Sequence, residues 1–184
     1  MKRIPAIAKA AAAAFLLASG ALAQLTPTGN PADFKVKPCL HSVSYAGFWR
    51  GQQSLTVDQF LVKARELGFE NVMLVAKRPH VSPHDYDDAA RRRLRQRIEE
   101  LGLKLVCLAS YTDFTAGIDK PGIPNAEIQA AYVGEVAKLA HDLGTDMVRI
   151  FTGYERPGVP WDQQYAQVVE GACGWRARPP RNTA

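Results

Sequence analysis

The chain lacks the short signatures that would name its chemistry at once. No G-x-G-x-x-G opens a helix after an apolar run, which removes a dinucleotide fingerprint. A phosphate loop, an H-E-x-x-H zinc pair and a G-x-S-x-G nucleophile turn are absent as well. Cysteine is scarce: Cys39, Cys107 and Cys173 are far apart and form no C-x-x-C pair, against a zinc ribbon or a dithiol redox motif. Cys39 and Cys107 fall in expected strands, where a buried thiol acts as a small hydrophobe, although an oxidising compartment would allow them to pair. Charge of one sign is missing too. The formal net charge is +5, but setting aside Lys2, Arg3, Arg176, Arg178 and Arg181 leaves 18 basic residues against 18 acidic ones. A neutral body gives a nucleic acid or an acidic membrane little to hold.

What is present begins with an address. Lys2 and Arg3 precede a largely apolar stretch over residues 6–22, and Ala21-Leu22-Ala23 is an A-x-A site. That pattern predicts a signal peptide over residues 1–23, cleaved before Gln24, and an exported protein, periplasmic or secreted. An uncleaved anchor is the alternative, but the apolar run is short for one. The leader has no adjacent arginine pair, so export in the folded state gains no support. Residues 24–35 read as a flexible lead.

One phrase then recurs three times: Glu66-Leu67-Gly68, Glu100-Leu101-Gly102 and Asp142-Leu143-Gly144, each followed by an apolar run. Leu closes a helix face, Gly takes the left-handed conformation that ends the helix, and the run suits a parallel strand covered on both sides. The repeat predicts βαβ crossovers and an α/β fold of about four βα units with parallel strands. Strands are expected over 36–43, 71–76, 103–109 and 146–151. Thr56 with Gln59 makes a capping box for the first helix, whose face is Phe60, Ala64 and Leu67. Ala90, Leu94, Ile98 and Leu101 form the stripe of a second helix, which starts near Asp87. Asn125 caps a third, with Ile128, Tyr132, Val136, Leu139 and Leu143 inward. The arginines of residues 91–97 read as a solvated outer face. A fourth helix begins near Trp161, and after Glu170 the pattern stops. Residues 171–184, with adjacent prolines and three arginines, read as a tail foreign to the domain.

The segments after the strands carry the resemblance. His41-Ser42-Val43-Ser44-Tyr45, Lys77-Arg78-Pro79-His80, Tyr111-Thr112-Asp113-Phe114 and Val148-Arg149-Ile150-Phe151-Thr152-Gly153 resemble the sugar phosphate isomerase/epimerase family, with its xylose-isomerase-like TIM barrel. The resemblance covers residues 36–170 and implies the N-terminal half of a (β/α)8 barrel. Without its leader the chain has about 160 residues, against roughly 250 for a typical barrel. An open doubly wound sheet is the alternative fold. The family implies a divalent metal and a sugar or polyol whose protons are moved. Its metal ligands lie on strands five to eight, and Met73 stands where many relatives carry Glu, so the resemblance implies no metal ligand in this part. A DNA-repair endonuclease of the same superfamily fits poorly with an export leader and a neutral body.

Residues after the strands face the barrel mouth, where such enzymes place their sites. His80 is a candidate proton shuttle or metal ligand, or a loop histidine bonded to backbone. Asp113 either accepts hydrogen bonds from substrate hydroxyls or caps its loop. Arg149, a charge inside an apolar strand, either anchors an anionic group or pairs with a carboxylate. Tyr111 and Tyr154 can stack on a sugar ring or pack under loops, and Lys77 joins them as a substrate-side group. His41 reads as a satisfied core histidine, His84 as a surface residue, and His141 as a complement to its helix dipole. Two functions follow: a sugar or polyol isomerase or epimerase, or a half-barrel that binds carbohydrate or associates with itself through its open sheet edges without catalysis.

Overall fold

A computed structural model describes residues 36–120 and 122–174. The leader, the lead segment and residues 175–184 lie outside the described residues. Four strands, β1 (Cys39–His41), β2 (Asn71–Val75), β3 (Lys104–Ala109) and β4 (Val148–Arg149), form one parallel sheet in the order 1-2-3-4. Each neighbour follows its predecessor in sequence, so the strand order never reverses as it does in a doubly wound sheet. The helices are α1 (Val57–Glu66), α2 (Asp88–Glu100), α3 (Asn125–Asp142) and α4 (Trp161–Gly174). The result is four βα units of a partial barrel. No helix among the described residues is long and apolar enough to cross a membrane.

The repeated helix ends are built alike. Gly68, Gly102 and Gly144 have φ of 80°, 63° and 85°. The amides of Phe69, Leu103 and Thr145 return to the carbonyls of Ala64, Ile98 and Ala140, each at 3.0 Å. Each glycine amide also bonds back, so every end is a Schellman closure feeding the next strand. At the start of α1 the Thr56 hydroxyl accepts from the Gln59 amide at 3.3 Å, and the Gln59 side chain accepts from the Thr56 amide at 2.9 Å. Asp87 caps α2 by accepting from the Ala90 amide at 2.7 Å. Helix α3 differs from expectation. Pro124 precedes it without a side-chain cap, and Asn125 is already its first helical residue.

The core lies between the sheet and the helices. Val72, Leu74, Leu105 and Leu108 meet Phe60, Leu61, Ala64, Leu94, Ile98, Val136 and Leu139 there. Each fully buried aliphatic or aromatic side chain contributes about 1.5–3 kcal/mol. Two expected core positions are corrected. Leu67, which caps α1, is 54% exposed and Ile128 is 53% exposed: α1 ends one residue before Leu67, and Ile128 lies in the first turn of α3, whose buried residues are Val136, Leu139 and Ala140 in its later turns. The strands are also shorter than their apolar runs: β1 gives way to a 3-10 turn at Ser42–Tyr45, and β4 keeps only two paired residues at the sheet edge. All three cysteines are free; Cys107 is buried but Cys39, on the edge strand, is exposed.

A bulge interrupts β3. Val72 pairs with Leu105 and Met73 with Cys107, so Val106 is the extra residue of β3, and its carbonyl accepts from the Thr145 hydroxyl at 3.0 Å. Helix α4 runs past Glu170 to Gly174. Gly171 allows this: a Cβ there would come within 2.7 Å of the Phe114 ring and 3.3 Å of the Ala126 methyl.

Candidate functional site

Side chains from four successive strand ends meet on one rim. Phe48 follows β1, Lys77 follows β2, Tyr111 follows β3, and Arg149 with Phe151 closes β4. The Lys77 ammonium lies 4.3 Å from the centre of the Phe48 ring and 4.5 Å from that of Tyr111. The Arg149 guanidinium lies 3.9 Å over Phe151 and 5.0 Å from the Tyr111 centre. The rings support one another edge to face, at 6.1 Å for Phe48–Tyr111 and 5.5 Å for Tyr111–Phe151. Tyr111 therefore sits between two cations. Of the two readings of Arg149, the carboxylate pairing is not made among the described residues, where it has no salt-bridge partner and lies over aromatic rings.

His41 belongs with this group. Leu40 packs on the core, so alternation turns His41 to the opposite face, the one that carries Met73 and Arg149. Its Nε2 is buried without a partner, which corrects the reading of a satisfied core histidine. Burial, the Arg149 guanidinium and His80 push the imidazole down to about 4, so it is neutral at pH 7. The strand alternation was the available signal for His41. Phe48 and Phe151 carried none, because their convergence depends on how the loops fold over the sheet.

The two residues read as acid–base candidates are held by the protein itself. His80 is buried, with Nδ1 2.9 Å from the Ser42 hydroxyl and Nε2 3.1 Å from the Leu55 carbonyl. The carbonyl requires Nε2–H, so Nδ1 accepts from Ser42, whose oxygen in turn accepts from the Val75 amide at 2.9 Å. Burial lowers the pKa of the ring. This arrangement matches the backbone-bonded reading and leaves neither nitrogen for a substrate proton or a metal. Asp113 accepts from the Arg156 guanidinium and stands 2.8 Å from the Thr115 hydroxyl. Thr115 also meets the backbone of Tyr154, and a Cβ on Gly153 would fall 2.5 Å from its hydroxyl. Asp113 thus fastens the loop after β3 to the loop after β4. Tyr154 is anchored there by its backbone, while its ring is 69% exposed and joins none of the rim stacks. Lys77, Tyr111 and Arg149 are brought together; His80, Asp113 and Tyr154 are not part of that cluster.

Among the described residues no three His, Cys, Asp or Glu side chains stand close enough to hold a metal ion. The donors among the described residues do not fit a divalent cation. A groove between α1 and α2, lined by Leu61, Tyr86, Leu94 and Arg97, shares no residue with the rim.

The fold is shared with solved enzymes. A D-psicose 3-epimerase from Clostridium cellulolyticum H10, solved with D-tagatose, aligns with a TM-score of 0.58 at 15% identity, over 77% of this chain and 48% of its own. A D-psicose 3-epimerase solved in the presence of D-fructose gives 0.58 at 16%, over 76% and 47%. A probable 3-DHS dehydratase, AsbF, from Bacillus anthracis gives 0.55 at 18%, over 76% and 47%. The chain spans about half the length of these structures. No curated protein sequence matches it. The xylose isomerase-like TIM barrel model matches residues 61–173, more than half of the chain, and the chain belongs to that family.

Proposed function

We propose that this chain forms the substrate-side half of a sugar or polyol isomerase or epimerase. The observation that carries the reading is the convergence of Lys77, Tyr111 and Arg149 from three strand ends, with Phe48 and Phe151 beside them. Aromatic faces pack on the C–H face of a sugar, while the cations and the neutral His41 bond its oxygens. The role of these residues is to bind and orient. Lys77 and Arg149 stabilise negative charge as it develops on an oxygen when a neighbouring C–H proton passes to water and is replaced from it, the step that isomerisation and epimerisation share. His80 and Asp113 support the frame around them. The family membership and the likeness to two ketose epimerases support the substrate class. The leader supports export.

Incubation with D-fructose and D-psicose in D2O, followed by NMR, tests the reading. Deuterium at a sugar carbon, lost in Tyr111→Ala, is the expected result. Absence of both exchange and saturation transfer to any ketose or polyol would remove it. A second reading, a non-catalytic half-barrel that binds carbohydrate or pairs with a second copy, draws on the thin edge strand β4 and on exposed Met147, Trp161 and Tyr165. Sedimentation at rising concentration separates the assembling form from a monomer.

A further inference from the structure

We propose that His80 is an acid-sensitive latch for the loop after β1: neutral, it holds the loop and its aromatic rings at the rim, and on protonation it releases them. The inference goes beyond the proposed function and stands whatever ligand the rim takes. His80 bonds both feet of that loop. Its Nδ1 lies 2.9 Å from the Ser42 hydroxyl, where β1 gives way to the 3-10 turn. Its Nε2 lies 3.1 Å from the Leu55 carbonyl, where the loop enters α1. Between the feet the loop is cross-linked to itself. The Leu55 amide donates to the Tyr45 carbonyl at 2.9 Å, and Ala46 bridges to Ser54. The Gln52 side chain accepts from the Phe48 amide at 2.8 Å and donates to the Val43 carbonyl at 2.6 Å. A loop braced in this way moves as one piece. It carries Phe48, on which Lys77 rests, and Trp49, which packs edge to face on Phe48 at 6.1 Å.

The latch holds only with a neutral ring. Nε2–H donates to the Leu55 carbonyl, and Nδ1 accepts the Ser42 proton while Ser42 Oγ accepts from the Val75 amide at 2.9 Å. A second proton, on Nδ1, would set a donor against the Ser42 hydroxyl proton and place a full charge in the interior. Ser42 is 0% and His80 3% exposed, so the pair is enclosed by residues of this part of the chain. Facing the ring are Phe60 from α1, Tyr45 from the 3-10 turn and His41 from β1, itself held neutral. None of them is a carboxylate that would retain an imidazolium, and Asp85 in the loop of His80 is taken by Arg78. Burial lowers the His80 pKa from its ordinary 6.5, although the bonds to the Leu55 and Tyr45 carbonyls act the other way. The loop is therefore closed at neutral pH and opens as the pH falls below 6.5 through the lowered value. The charged ring turns out to water, and both feet of the loop come free together.

NMR titration of the full chain from about pH 8 to about pH 4 tests the latch. The ring nitrogens of His80 should show the Nε2–H tautomer at the neutral end. The Trp49 indole and the Leu55 amide should then shift with the midpoint of His80, while the amides of α2 and α3 stay protected from exchange. His80→Gln keeps one donor and one acceptor without titrating, so the loop should stay closed and its pH response should be lost. His80→Ala should open the loop at every pH. Should that variant not fold, Ser42→Ala withdraws the proton given to Nδ1 and should move the His80 midpoint upward. His41→Gln should leave the loop transition in place, which separates the two histidines. An Nδ1–H tautomer, loop signals that stay fixed while His80 titrates, a transition that survives His80→Gln, or a loop that opens only as the whole chain unfolds would each overturn the proposal. No ligand enters the measurement, so failure of the isomerase reading leaves the latch standing, and failure of the latch leaves that reading untouched.

Discussion

The two faces of the sheet differ in what they satisfy internally. Under the helices, Val72, Leu74, Leu105 and Leu108 are buried against apolar side chains, and the sheet's backbone is tied across β1 to β4. On the opposite face and its rim, Lys77 and Arg149 lie on rings without a counter-charge, and His41 keeps a buried nitrogen without a partner. The first face stabilises; the second holds groups whose partners are not supplied by the described residues. Unsatisfied polar groups persist only where the surrounding packing holds them in place. The dry face is what makes the charged rim possible.

Removing core packing is the largest way to break that comparison. Phe60→Ala should cost about 3–5 kcal/mol in urea unfolding, against about 1 kcal/mol for half-buried Met73→Ala on the other face. Equal losses would show that the two faces contribute alike. Next comes the fastening of the rim. Gly153 has φ of 135°, and an added Cβ would lie 2.5 Å from Thr115 Oγ1 and 2.7 Å from Asp113 Oδ1. Gly153→Ala should therefore cost about 2 kcal/mol and open the Asp113–Arg156 pair, visible as lost hydrogen-exchange protection in residues 112–116.

Acid separates the faces by charge. The His41 pKa lies at about 4 in the folded chain, below its ordinary 6.5, and His80 is also lowered. Between those values the unfolded chain binds a proton that the folded chain refuses. Stability is full above pH 6.5 and falls as the pH drops towards about 4. His41→Gln should flatten that decline in melting temperature; an unchanged slope would mean His41 is not held neutral. The smallest effect is at a helix start: Thr56→Ala removes the cap of α1 and should cost about 1 kcal/mol without changing rim binding.

Much of the frame was legible because it is local. Thr56 with Gln59, Asp87, and the three Leu-Gly closures act within a single turn of their own positions, and all occur as the spacing implies. Leu67, Ile128 and Asn125 were misjudged for one reason: their fate depends on where a helix begins or ends, which is a tertiary matter. At the rim, position at a strand end brings Lys77, Tyr111 and Arg149 to one edge of the sheet. It was not enough to separate them from His80 and Asp113, which occupy equivalent positions but are bonded to Ser42, Leu55 and Arg156. His41 reads as a satisfied core histidine because alternation gives its face but not whether its nitrogens find partners.

By itself the sequence determined the βα repeat, the caps at Thr56 and Asp87 and the glycine closures, because hydrophobic period and helix-end motifs are properties of neighbouring residues. The tertiary structure alone decided the strand order 1-2-3-4 and the burial of His80. It also decided the fastening of Asp113 and the meeting of two cations over one tyrosine ring. Those outcomes join residues dozens of positions apart, and only packing across the sheet specifies which of them touch.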